Sequence, residues 1–178
     1  MSNPRVLCLG EILYDMLADQ LGRSVAEVES WTSYPGGAPA NVACALVKLG
    51  TPSAFIGAVG ADESGTNLQA LLQEIGVDTT GVQSHAEAPT RQVLVTRKLN
   101  GDRVFAGFKD YDTTEFADTG LKAGELPEQL FAAADLLVVG TLELAYPESG
   151  AAVRRALELA SQYDGGMYFG KMPMQLRR

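Results

Sequence analysis

With 178 residues, of which 46% are hydrophobic and 20% charged, the chain has the length and apolar content for one domain with a real core. A net charge of -8 and a pI near 4.6 set up a field that repels polyanions, and no cluster of lysines and arginines offsets it, so nucleic acid is not an expected partner. The opening run Val6–Leu9 is far too short for a signal peptide or a membrane span, and the two cysteines, Cys8 and Cys44, read as small buried hydrophobes in a reducing compartment. These features point to a cytoplasmic protein without a membrane partner.

Val6, Leu7, Cys8 and Leu9 form an unbroken apolar run closed by Gly10, the pattern of a strand buried on both faces of a parallel sheet. Residues 12 to about 31 read as extended chain broken at Gly22. Val42, Ala45, Leu46 and Leu49 then stand at helical spacing, and Gly50 supplies a left-handed stop. Ala54–Val59 repeats the buried-strand pattern, and Leu68, Leu71, Leu72 and Ile75 repeat the helical one before Gly76. Gln92–Leu99 and Arg103–Phe108 flank Asn100-Gly101-Asp102, where Asn-Gly predicts a hairpin with a type I′ turn. Leu136–Val139 is a third buried strand, followed by a helix carrying Val153, Ala156, Leu157 and Ala160.

Alternation of short buried strands with amphipathic helices predicts a three-layer α/β sandwich with a mainly parallel sheet. The segments at about 12–33 and 91–109 fall outside that rhythm and are expected to pair as a small antiparallel β lid over the carboxyl edge of the sheet. From residue 164 to 178 the rhythm breaks: Gly165-Gly166, three methionines, Pro173 and Arg177-Arg178 give neither a clean strand nor a clean helix, so an atypical tail is expected after a domain at 1–163.

The densest chemical signal is Tyr34-Pro-Gly-Gly-Ala-Pro-Ala-Asn41, a double glycine running into a helix start. Glycines let the backbone approach a ligand, free amides at a helix start donate to oxygen, and Asn41 offers both a donor and an acceptor, which suits a polyhydroxy ligand. The same residues also read as a tight loop with a helix cap. Neither a G-x-G-x-x-G after the first strand nor a G-x-x-x-x-G-K-[ST] occurs, which removes support for a dinucleotide fold or a P-loop. Asp15 reads as a possible strand end, Asp62 as a helix cap, Arg91 as a solvated edge charge and His85 as part of a surface loop.

Gly10-Glu11-Ile12-Leu13-x-Asp15, Gly36-Gly37-Ala38-Pro39-Ala40-Asn41-Val42-Ala43, Leu49-Gly50 and Gly57-x-Val59-Gly60-x-Asp62-x-x-Gly65, in this order, resemble the ribokinase/PfkB carbohydrate kinase family. The likeness continues through Gly76-Val77-Asp78 and Pro89-Thr90-Arg91 to about Tyr163, and Ala38-Pro39 is similar to fructokinases rather than ribokinases. The resemblance implies that Asp15 accepts hydrogen bonds from sugar hydroxyls, that Gly37 and Asn41 contact the sugar while Gly36 allows its approach, and that Glu143 is an acidic sugar-side residue. It places Arg91 and the hairpin in the lid, with Phe105 or Phe108 over the apolar face of the sugar. It further implies ATP-dependent phosphorylation of fructose at the 6-hydroxyl, with ATP, Mg2+ and an activating K+ as cofactors, and a homodimer formed through the lid strands.

Family members carry their catalytic aspartate in a later Gly-Ala-Gly-Asp-type motif, and an Asp-x-Asn-x-Arg-like segment where this chain reads Asp164-Gly-Gly-Met-Tyr-Phe-Gly-Lys-Met-Pro-Met; neither motif occurs here. The expectation is therefore an amino-terminal portion, incomplete at the carboxyl end, with the continuation altered near residue 164 and the base and ATP site elsewhere. A catalytically inactive sugar-binding or dimerising fragment is the alternative. An interrupted parallel sheet leaves strand edges uncovered, so self-association is expected as well.

Overall fold

A computed structural model describes residues 4–163 and 166–169. In chain order it contains β1 (Val6–Leu9), β2 (Leu13–Leu21), β3 (Trp31–Gly36), α1 (Ala38–Lys48), β4 (Ser53–Gly60), α2 (Glu63–Ile75) and β5 (Asp78–His85). There follow β6 (Gln92–Arg97), β7 (Arg103–Phe108), α3 (Glu128–Ala133), β8 (Leu136–Val139), α4 (Pro147–Gln162) and β9 (Gly166–Phe169). The main sheet has the order β5-β4-β1-β8-β9, with every pairing parallel.

Alternation along the central strands builds a core on each face of this sheet. Leu7 and Leu9 of β1 join Ile56, Leu137, Val153 and Leu159 on the α3–α4 side, while Val6 and Cys8 join Phe55, Val138, Leu68 and Leu72 on the α1–α2 side. Each such side chain contributes roughly 1.5–3 kcal/mol when fully buried, and a one-residue slip would exchange the two sets, so packing fixes the register. Both cysteines are free; Cys8 is buried, whereas Cys44 is only half-buried.

Helix α1 lies where its periodicity predicts but presents another face to the sheet. Its buried residues are Pro39, Ala40 and Ala43, whereas Val42 is 38% and Leu49 82% exposed. The helix is apolar nearly all round, so spacing does not determine its roll. Small side chains win the contact because they let the helix start sit close to the end of β1.

The second sheet has the order β3-β2-β6-β7. It is mixed rather than antiparallel: β2 pairs antiparallel with β3 and β6 with β7, but β2 and β6 run parallel. The reason is topological, because the chain crosses the main sheet between β2 and β6 and returns in the same direction. The hairpin turn also differs from expectation. Gly101 N–H donates to the Lys98 carbonyl and Gly101 alone in the loop takes a positive φ, +87°, which is a type I turn closed by a left-handed glycine rather than type I′.

At the carboxyl end, Gly166–Phe169, within the stretch expected to be neither clean strand nor clean helix, pairs in parallel with β8 and adds a fifth strand. A four-residue apolar strand at a sheet margin is set by its neighbour more than by its own pattern. The rest of the expected tail, residues 164, 165 and 170–178, lies outside the described residues.

Candidate functional site

After β1 the main sheet grows outward through β4 and β5, then restarts on the other side of β1 with β8 and β9. The β1/β8 boundary is therefore a topological switch point, where crossovers leave in opposite directions, the place beyond the carboxyl ends of the strands at which open α/β sheets generally bind ligands. Glu11 follows β1 at this point and Glu143 follows β8, in a short 3-10 turn. Both side chains are buried, at 1% and 2% exposure.

The glycine loop closes over them. Glu11 Oε1 accepts from the Ala38 backbone N–H at 2.9 Å, which ties the first turn of α1 to the end of β1. Gly37 caps the helix with φ +102°, and a Cβ there would stand 2.3 Å from the Glu11 carbonyl oxygen, so only glycine fits. Gly10 and Gly140 make room for the carboxyls: a Cβ on Gly140 would stand 3.0 Å from Glu11 Oε2 and 3.1 Å from Glu143 Oε2. Among the described residues, Glu11 Oε2 and both carboxyl oxygens of Glu143 have no hydrogen-bond partner. Burial, reinforced by the neighbouring Glu11, pushes the Glu143 carboxyl up to about 8, and burial raises Glu11 as well. The family resemblance singled out Glu143 but not Glu11; the signal available was an acidic residue just past the glycine that closes a fully apolar strand.

Asp15 sits on β2 opposite Tyr34 of β3, with its carboxyl against Gly36, where a Cβ would come within 2.9 Å of Oδ2. Half-burial raises its pKa, with Arg103 of the hairpin pulling the other way. The chain thus brings Asp15, Gly36, Gly37, Glu11 and Glu143 along one continuous path of contacts. Asn41 stands one turn into α1, exposed, its backbone N–H donating to Gly37. Phe105 lies on β7, 62% exposed and edge-on to Phe108 at 5.4 Å between centroids.

Arg91 is neither a solvated edge charge nor a free donor. Its guanidinium is fully buried, doubly bonded to Asp118 and further bonded to Thr113 Oγ1 and the Thr113 carbonyl. Phe108, Phe116 and Tyr146 surround it at 4.6–5.7 Å from their ring centroids. It is thus a strut joining the lid to the segment that follows Glu143, and a ligand would have to displace these partners to reach it. Asp62 is a helix cap, accepting from Gly65 N–H, and it also binds the backbone and hydroxyl of Thr90 beside Arg91. His85 closes β5 rather than lying in a loop, and its Nδ1 accepts from the Ala88 N–H.

The sequence profile of the pfkB family carbohydrate kinases matches residues 3–168. The chain belongs to that family. A relative, fructokinase-1 of Oryza sativa subsp. japonica, is 37% identical over 157 residues, covering 88% of this chain and 47% of its own length. A fructokinase from Xylella fastidiosa solved with bound ATP superposes with a TM-score of 0.81 at 29% identity, covering 95% of this chain and 49% of that one. A ribokinase-type protein of E. coli solved with ATP and Mg2+ gives 0.84 at 27% identity, covering 93% and 52%. The chain spans about half the length of these pfkB relatives.

Among the described residues no group of three or more His, Cys, Asp or Glu side chains could hold a metal ion, and Arg91 is occupied by Asp118. Among the described residues no helix is long and apolar enough to cross a membrane.

Proposed function

We propose that this chain is the sugar-holding half of a fructokinase-type enzyme that transfers the γ-phosphoryl group of ATP to the 6-hydroxyl of fructose. The observation that carries the reading is the placement of the Asp15 carboxyl against Gly36, at the mouth of a glycine loop whose first helical turn is tied to Glu11. A half-buried carboxylate accepts hydrogen bonds from two hydroxyls at once, Gly37 lets the sugar approach the backbone, and Asn41 supplies an amide that donates and accepts. Gly36 and Glu143 complete the substrate side, and Phe105 caps it from the lid.

In this reading the chain's own residues bind and orient the sugar, and the lid of residues 12–33 and 91–109 excludes water. ATP, Mg2+ and K+ supply the phosphoryl donor and its charge neutralisation when bound, through residues other than those described here. Arg91 acts on the sugar only through the lid that it anchors. The domain is read as residues 1–163 continued by β9. The outer edge of β7, with Val104 and Phe105 exposed, is the surface for a second copy of the lid, and the cell compartment is the cytoplasm.

The test is fructose binding by calorimetry together with ATP turnover on the purified chain. Binding that weakens on Asp15→Asn supports the sugar-holding role; no binding to any ketohexose or pentose overturns it. Binding without turnover selects the second reading, a catalytically inactive sugar-binding module. Sedimentation of the chain against a Phe105→Lys variant reads the proposed lid dimer.

A further inference from the structure

Glu11 and Glu143 come from distant parts of the sequence and meet at the switch point with their Oε2 atoms facing the same small space over Gly140. Two carboxylates at this depth repel one another and lose their hydration, so the doubly ionised state is the costly one. Hydrogen bonding relieves only one of the four oxygens, Glu11 Oε1 through Ala38 N–H, and leaves three without a partner among the described residues. The other charged groups acting on the pair are Asp118, which adds to the repulsion, and Arg91, which opposes it but is itself neutralised by Asp118. A hydrogen-bond donor is what this cluster lacks, and a proton held by either carboxyl supplies one.

We infer that Glu11 and Glu143 hold one proton between them at neutral pH, so that the floor they form at the carboxyl ends of β1 and β8 offers one donor beside its acceptors. Such a floor matches a hydroxyl, which gives one hydrogen bond and takes others, and it rejects a carboxylate or phosphate, which only accepts. For the ligand, this rests on the polyol reading above and deepens it: the site selects neutral sugars over sugar acids. Glu11 is then a positioning residue. It holds the Ala38 amide and keeps Glu143 protonated, without being required to touch the sugar.

The experiment is a carboxyl-carbon NMR titration of the ligand-free chain labelled at glutamate, with Glu11→Gln and Glu143→Gln alongside. One glutamate signal is expected to titrate well above the ordinary carboxyl range, and Glu11→Gln is expected to bring the Glu143 signal down by a resolvable shift because the repelling charge is gone. Glutamate signals that all titrate in the ordinary range overturn the shared proton. So does a high titration of Glu143 that Glu11→Gln leaves unmoved, since the proton would then belong to Glu143 alone. If one variant fails to fold, the reciprocal substitution gives the same reading from the other partner. Because the titration needs no sugar, a chain that binds no fructose still returns its result on the proton.

Discussion

Arg91 and Asp118 form a two-pronged ion pair, Nε to Oδ2 at 2.6 Å and Nη2 to Oδ1 at 2.9 Å, with side chains only 1% and 4% exposed. The pair fastens the start of β6 to the turn before α3, and Tyr146, packed on the same guanidinium, extends the connection to the segment after Glu143. The lid and the segment after Glu143 therefore share a joint.

Asp118→Ala is expected to cost about 3–5 kcal/mol of stability, because it leaves a buried guanidinium without its counter-charge. Replacing both partners, Arg91→Met with Asp118→Leu, is expected to cost less than the single change. Urea unfolding of the two variants checks the order; a milder Asp118→Ala would show that the guanidinium finds water in the folded chain.

At the glycine loop, Gly37→Ala and Gly36→Ala should separate folding from binding. Gly37 combines a φ of +102° with a carbonyl oxygen 2.3 Å from any added Cβ, so alanine there is expected to cost more than about 1 kcal/mol. At Gly36 the obstacles are side-chain ends, Asp15 Oδ2 and Leu13 Cδ1, rather than backbone, so the expected outcome is a smaller stability loss than at Gly37, with weakened sugar binding. Thermal unfolding and calorimetry on the same samples make the comparison.

Asp15→Asn is expected to weaken fructose binding by about 1.5–3 kcal/mol, the range for hydrogen bonds to a charged group, which is roughly 10- to 150-fold in Kd. Stability should hardly change, because among the described residues no protein group donates to this carboxyl. An unaltered Kd would remove Asp15 from the site.

Stability is expected to fall as pH rises from about 4.5 to about 8. In that window the unfolded chain has released a proton that the native Glu11–Glu143 pair keeps, so the slope is negative, and it levels off above the folded value near 8. Glu143→Gln should flatten this part of the curve. Asp62 acts at the other end: hydrogen bonds from Thr90 and Gly65 outweigh its burial and hold its pKa below 3.8, so its contribution is present above 3.8 and lost as pH drops through the lower folded value. Urea midpoints measured from pH 3 to pH 9 in wild type, Glu143→Gln and Asp62→Asn read both limbs.

The buried strands β1, β4 and β8 were legible because a strand covered on both faces must be apolar throughout, and the stops at Gly50 and Gly76 because few residues other than glycine take a left-handed turn readily. Strand β5 was not legible: Asp78–His85 is a largely polar edge strand, held by pairing with β4 rather than by its own pattern. The roll of α1 was ambiguous for a related reason, since apolar residues on most of its faces leave the choice to packing.

By itself, the order of residues determined the layered α/β architecture and the glycine loop, because each depends on local periodicity or on a backbone shape that few residues allow, while Asp15 and Glu143 were marked only by the family resemblance. The tertiary structure alone decided that Glu11 joins Glu143 and that Arg91 is claimed by Asp118. Those relationships depend on where strand order reverses and on which charges lose their water, and both are fixed only when distant segments close on one another.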